Sequence, residues 1–359
     1  MLWRNQNFKE AVRKSFFVFL FIAFLFLSVL TFNVQPRHGI EQTSNAVAMS
    51  ISPFYGNDII STRGHYDYLG TGDLNPEFNT TDYVYLKNGK GNTSDATPNK
   101  ITCPPENEIA IYIHGAWTDE MSASEQLNRT AMALVINNNS VPLIGFSWDS
   151  NTPLNKEGWK TAKIIADNNG PKLARFIIDL KNKCQDTDIR LIAHSLGAAV
   201  VNSTLISLHN DLNTTTNNGF NITSVHLLGA AINRDEIASN STFGNAIENI
   251  VDNFYNLRNP EDNMLEYVYR YVEDHDALGL LGIQHSVPMP RDYIEHQVDS
   301  EIPAIQDADG NNKLDCFDFF VLLPGDNHCG YIGFRGLPPF ENILLDDGSI
   351  DIIVQDWLE

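Results

Sequence analysis

Basic residues are scarce in this chain: 24 Lys and Arg stand against 45 Asp and Glu, a formal net charge of -21. Phosphate backbones are held by basic faces, so nucleic acid is excluded as a natural partner. An acidic surface suits solubility, or the binding of cations. Cysteine is also sparse, with four residues in 359 and no pair at zinc-ligand spacing. That excludes a zinc-ribbon type of fold and leaves disulfides or buried thiols. No internal repeat is present, so a solenoid is excluded. The only long apolar run lies at the N-terminus. Against these absences, hydrophobic residues make up 43% of the chain, enough for the core of one large domain or two modest ones.

The apolar run extends from Ser15 to Phe32 and follows Arg4, Lys9, Arg13 and Lys14. Its length, about 18 residues, is the lower limit for a spanning helix and long for the apolar part of a secretory signal. Basic residues before the run keep the N-terminus cytoplasmic and place the rest outside. The expected organisation is a basic N-terminus over 1–14 and a transmembrane anchor over 15–32. A cleaved signal is the alternative; Ala46-Val47-Ala48 has the small residues of a cleavage site but stands far from the run. Either way the domain is exported, to the membrane surface or secreted. Acceptor patterns for N-glycosylation at Asn79, Asn92, Asn128, Asn138, Asn202, Asn213, Asn221 and Asn240 agree with export.

Residues 33–105 read as a linker and irregular entry, with a Gly-, Asn-, Thr- and Pro-rich stretch from Asn88. Apolar runs and helical patterns then alternate. Ile109–Ile113, Val141–Ser147, Ile189–Ala193, Ser224–Leu228 and Val251–Leu257 are strands. Glu120–Ile136, Glu157–Lys183 and Leu196–Leu208 are helices, the second with a candidate break at Gly170-Pro171. Such alternation predicts an α/β fold with a mostly parallel sheet covered on both faces. The main domain is expected over 106–341. Residues 277–303 have no clear pattern and suit a lid. Phe319–Leu323 is a candidate last strand, and 342–359 is an acidic tail with interspersed Ile and Leu, suited to an edge strand plus a turn or to a partner segment.

The sharpest local feature is Ile192-Ala193-His194-Ser195-Leu196-Gly197-Ala198-Ala199. A strand ends, a serine stands at the corner and a small-residue helix begins. Acyl transfer needs a serine on such a turn, exposed and facing a helix N-terminus. The pattern is G-x-S-x-G with Ala193 in the first place. A second feature, Ile111-Tyr112-Ile113-His114-Gly115-Ala116-Trp117, is an apolar strand ending in His-Gly. An oxyanion hole takes one N–H from the residue after the serine and one from an earlier strand end. Leu196 is the first candidate; Ala116 is the second, with Trp117 its rival.

From Ile109 to Phe334 the chain resembles the α/β-hydrolase superfamily, in particular its lipase- and esterase-like serine hydrolases. The resemblance implies a triad in the order Ser, acid, His. It places the acid after the second strand beyond the nucleophile, where Asp262 fits and Glu261 competes. It places the histidine after the last strand, where His328 fits; His275, His285 and His296 are rivals, and His194 is expected to pack rather than react. It also implies that the strands following Cys103 and Cys184 are neighbours, which would allow those two to bridge. Cys316 and Cys329 remain.

Between Asp262 and His328 lies Asp307-Ala308-Asp309-Gly310-Asn311-Asn312-Lys313-Leu314-Asp315-Cys316-Phe317-Asp318. Asp307, Asp309, Asn311, Asp315 and Asp318 bear oxygens at positions 1, 3, 5, 9 and 12, and Lys313 offers a carbonyl at 7. This is the ligand spacing of an EF-hand or dockerin-like loop, and calcium wants six to eight oxygens. Asn312 in place of Gly, and Asp318 in place of Glu, depart from that pattern. An acidic surface loop is the other reading.

These features predict an extracytoplasmic serine hydrolase acting on a small-molecule or lipid-like carboxylic ester. Calcium would be structural, and the chemistry needs no organic cofactor. Peptidase, thioesterase and acyltransferase activities use the same scaffold, and a non-catalytic calcium-stabilised surface module is the alternative from outside enzymology.

Overall fold

The structure is a computed structural model, and it describes residues 58–87, 101–214, 221–302, 327–335 and 344–358. The N-terminal run 15–32, the calcium-type segment 307–318 and the candidate strand Phe319–Leu323 lie outside these residues. Among the described residues no helix is long and apolar enough to cross a membrane.

Eight strands form one sheet: β1 (Ile59–Ser61), β2 (Val84–Leu86), β3 (Glu108–Ile113), β4 (Leu143–Ser147), β5 (Asp188–His194), β6 (Ile222–Leu228), β7 (Val251–Arg258) and β8 (Tyr293–Gln297). Their order is β2-β1-β4-β3-β5-β6-β7-β8. Every pairing is parallel except β1 with β2. Side chains alternate across it, as the two-residue period of a strand requires. Ile109, Ile111 and Ile113 of β3 enter one core, while Ala110 and Tyr112 enter the other.

The first core lies under α2 (Lys156–Lys183), α3 (Gly197–Thr214) and α4 (Thr242–Ile250). The second lies under α1 (Glu120–Ile136) and α7 (Ile350–Asp356), with α5 (Arg270–Glu273) and α6 (Leu278–Leu281) as single turns in between along the chain. Asp119, Asn155 and Ser241 cap α1, α2 and α4, each accepting from a backbone N–H three residues on.

Several elements depart from the sequence expectation. The region read as linker supplies β1 and β2, strands of three residues, too short to show an apolar period. Helix α2 runs unbroken through Gly170-Pro171. Proline cannot bond the carbonyl four residues back; here the Ser203 hydroxyl of α3 donates to that Asp167 carbonyl at 2.5 Å. Gly170 leaves room for this approach, because a Cβ there would collide with Ser203. In the unassigned stretch 277–303, β8 completes the sheet beside β7. The acidic tail contains β10 (Leu344–Asp346), paired with β9 (Phe334–Arg335), and then α7, which buries Ile350, Ile353 and Val354. The strand agrees with the edge strand expected there, whereas the helix was not expected. Cys103 and Cys184 form a disulfide with Cα atoms 5.5 Å apart.

Candidate active site

The site stands at the C-terminal ends of the central strands, where parallel sheets gather ligands. β5 ends at His194, and Ser195 follows with φ +55°. That left-handed conformation is costly for a residue with a side chain, and it turns the hydroxyl out of the sheet. The neighbours hold it: Ser195 N–H donates to Leu228 O at 2.9 Å, and Ser195 O accepts from Ala231 N–H at 3.1 Å. The turn also needs small residues. A Cβ on Gly115 would stand 2.7 Å from Ser195 Cβ, and one on Gly197 would stand 2.6 Å from Ile113 O.

His328 comes from a short 3-10 helix, Asn327–Ile332, and is buried. Ser195 Oγ donates to its Nε2 at 2.8 Å. His328 Nδ1–H donates to Asp262 Oδ2 at 2.7 Å. This tautomer follows from the partners, since the carboxylate can only accept. Asp262 is fully buried and its charge is satisfied. Leu265 N–H donates to Oδ1 at 3.0 Å and the Tyr331 hydroxyl to Oδ2 at 3.1 Å. Asn327 ties the two loops together: it accepts from Asn263 N–H and donates to Glu261 O.

The rivals lie elsewhere. Glu261, His275 and His285 are exposed, and His296 bonds Asp356 of α7 at 3.1 Å. His194 packs, with Nε2–H donating to His328 O at 2.7 Å; burial pushes its pKa down to about 3, so the ring stays neutral. It therefore supports the backbone that carries His328.

Of the two oxyanion candidates at the β3 end, Trp117 has its N–H committed to Ser150 O at 2.7 Å. Ala116 and Leu196 line or adjoin the nucleophile, and no hydrogen bond among the described residues engages either N–H. A pocket with mostly apolar walls, partly open to solvent, adjoins Ser195 and His328. Its walls include Trp117, Trp159, Met264, Leu265, Val268 and Tyr269. The last four sit on a π-helix, Met264–Tyr269, which follows the Asp262 loop. Such a widened turn recurs at functional sites; nothing in residues 263–272 distinguished it from an ordinary helix. Tyr331, three residues beyond His328, and Arg63, in the region read as linker, also escaped the sequence reading. Tyr331 meets Asp262 and His328 by a hydrogen bond and a ring contact, and Arg63 bonds His114 and Thr118 across more than fifty residues; such long-range contacts leave no local pattern.

Among the described residues no cluster of metal-ligating side chains occurs. The calcium candidates Asp307, Asp309, Asn311, Lys313, Asp315 and Asp318 lie outside those residues.

A search of curated proteins finds no match. The model of a family described as "Alpha/beta hydrolase of unknown function (DUF900)" matches residues 92–306. The matched span holds Ser195 and Asp262, whereas Arg63 and His328 lie beyond it. With the match covering more than half of the chain, and with a mostly parallel eight-stranded sheet flanked by helices, this protein belongs to that α/β-hydrolase family.

Proposed function

We propose that the protein is an exported serine hydrolase that cleaves carboxylic esters bearing an apolar acyl group. The observation that carries this is the unbroken chain from Ser195 Oγ through His328 to Asp262, at 2.8 and 2.7 Å, beside an apolar cavity. His328 Nε2 takes the Ser195 proton as the hydroxyl attacks the ester carbonyl. Asp262 holds the ring in the Nδ1–H tautomer and stabilises the imidazolium. The Leu196 and Ala116 N–H groups receive the oxyanion. His328 then gives its proton to the departing alcohol, leaving an acyl-Ser195 ester. Water, activated by the same ring, releases the acid and restores the serine.

The acyl reading rests on the walls. Two indoles, a phenol ring, Met264, Leu265 and Val268 offer no charge to a polar acyl group. Peptidase, thioesterase and acyltransferase reactions would use the same residues, and the apolar walls favour none of them over an ester. Export and calcium binding by 307–318 belong to this reading and rest on the sequence: basic residues before an apolar run, and oxygen-bearing side chains at calcium spacing.

A panel of p-nitrophenyl esters with graded acyl chains, run beside peptide and thioester substrates, tests the reading. Hydrolysis of neutral, apolar acyl esters is expected, with an acyl-length optimum that shifts when Trp159→Ala enlarges the cavity. Turnover of peptides alone would contradict it.

A further inference from the structure

Arg63 lies two residues beyond β1 and outside the residues matched by the family model. β1 runs parallel to β4 with Ser61 opposite Ser147, so the chain beyond it passes the ends of β4 and β3. The Arg63 guanidinium bonds both ends. Its Nε donates to Ser147 Oγ at 2.9 Å and its Nη1 to Asn151 Oδ1 at 3.3 Å. Its Nη2 donates to Thr118 O at 3.0 Å and to His114 Nε2 at 3.1 Å. The backbone of its own turn is fixed by Asp149, whose carboxylate accepts from Gly64 N–H at 3.0 Å and Tyr66 N–H at 3.1 Å.

The two Nη2 acceptors bracket the segment that contains Ala116. His114 Nε2 also accepts from Trp148 N–H at 3.1 Å. With Nε2 an acceptor twice over, the ring proton is on Nδ1, which donates to Gly115 O at 2.9 Å. Burial and the Arg63 charge both hold this ring neutral. The imidazole thus passes the Arg63 contact on to the Gly115–Ala116 peptide. On the far side, Ser150 takes Trp117 N–H and bonds Thr118 through its hydroxyl. Arg63 does not line the cavity, so substrate does not touch it.

We propose that Arg63 is a positioning residue of the reaction, holding the His114–Thr118 segment so that the Ala116 N–H meets the developing oxyanion. This rests on the reading of Ser195 as nucleophile. Oxyanion donors act only when preorganised, and a small displacement costs about a hundredfold in rate.

The test uses the full chain with Arg63→Lys and Arg63→Gln. Active sites are counted with a fluorophosphonate; kcat and KM for p-nitrophenyl butyrate are then expressed per titrated site, and affinity for butylboronic acid is measured. A lysine keeps the charge but cannot bond four acceptors on two strand ends. The expected result is a titratable protein whose kcat per site falls about ten- to a hundredfold. KM should stay within about threefold, and boronate affinity should fall alongside kcat. Fewer titratable sites with unchanged kcat per site would make Arg63 structural only and overturn the proposal. Where neither variant folds, Ser147→Ala and Asn151→Ala free the guanidinium from two anchors; unchanged kcat per site in both would overturn it equally. A wild-type protein unlabelled at Ser195 would overturn the hydrolase reading itself, and this role with it.

Discussion

Ser195 occupies a backbone conformation that side chains avoid, and the surrounding residues make it tolerable. Gly115 and Gly197 leave space on either side, and Leu228 and Ala231 bond its peptide groups. Strain held this way is common at catalytic sites. Asp262 illustrates a second residue-scale device, a buried carboxylate with three donors, one of them the His328 ring. Asp262→Asn keeps the shape but places an amide against His328 Nδ1, which favours the wrong tautomer. Ester kcat is expected to fall by about 10³–10⁴ with the fold retained by circular dichroism. An unchanged kcat would move the acid elsewhere, and Glu261 would be the first residue to try.

At the scale of elements, what could be read depended on length and on locality. The central strands β3 to β7 are five to eight residues long and each carries several apolar residues, and the alternation with helices was visible in them. The serine corner and the His-Gly end were legible because their chemistry sits in consecutive residues. β1 and β2 were not legible, because three residues between turns carry no period. In α2 Pro171 made a break a candidate, because proline breaks an isolated helix; the Ser203 hydroxyl that bonds the freed carbonyl comes from another helix. α7 was not told from a turn, because its seven residues are too few to show a helical period; it is held by Ile350, Ile353 and Val354 and by Asp356, whose carboxylate accepts from His226 and His296, both at 3.1 Å. The Cys103–Cys184 bridge ties the approach to β3 to the end of α2 across a separation of 81 residues. By loop-closure entropy such a bridge contributes up to about 4 kcal/mol. A Cys103→Ser/Cys184→Ser double variant should lose about 2–4 kcal/mol in urea unfolding while its kcat per active site stays unchanged. An unchanged midpoint would show that the packing of β3 on β5 already fixes these ends.

At the scale of the whole molecule, four imidazoles are kept neutral inside an acidic protein. Burial pushes His65 down to about 4 and His194 to about 3, and it lowers His114 and His226 as well. Unfolded, each takes up a proton near 6.5. Between that value and the folded one the unfolded state binds more protons, so these groups lower stability as pH falls from about 6.5 toward 4. Asp149, Asp167 and Glu236, raised by burial, act in the opposite sense. His65→Phe isolates one contribution, since it preserves the stacking on Phe78 and removes a buried nitrogen with no hydrogen-bond partner among the described residues. Its stability advantage over wild type in chemical denaturation should grow as pH is lowered from about 7.5 to about 5, a range that spans the ordinary histidine pKa. An advantage constant across that range would mean that His65 titrates normally in the folded protein.

In the proposed function the fold presents one activated serine, Ser195. Treatment of the full chain with a fluorophosphonate, followed by peptide mass mapping, shows whether Ser195 is that nucleophile. The account predicts a single phosphonyl group on Ser195, absent from Ser195→Ala and formed far more slowly in His328→Ala. A folded wild-type protein that stays unlabelled, or that is labelled at another residue, would contradict it.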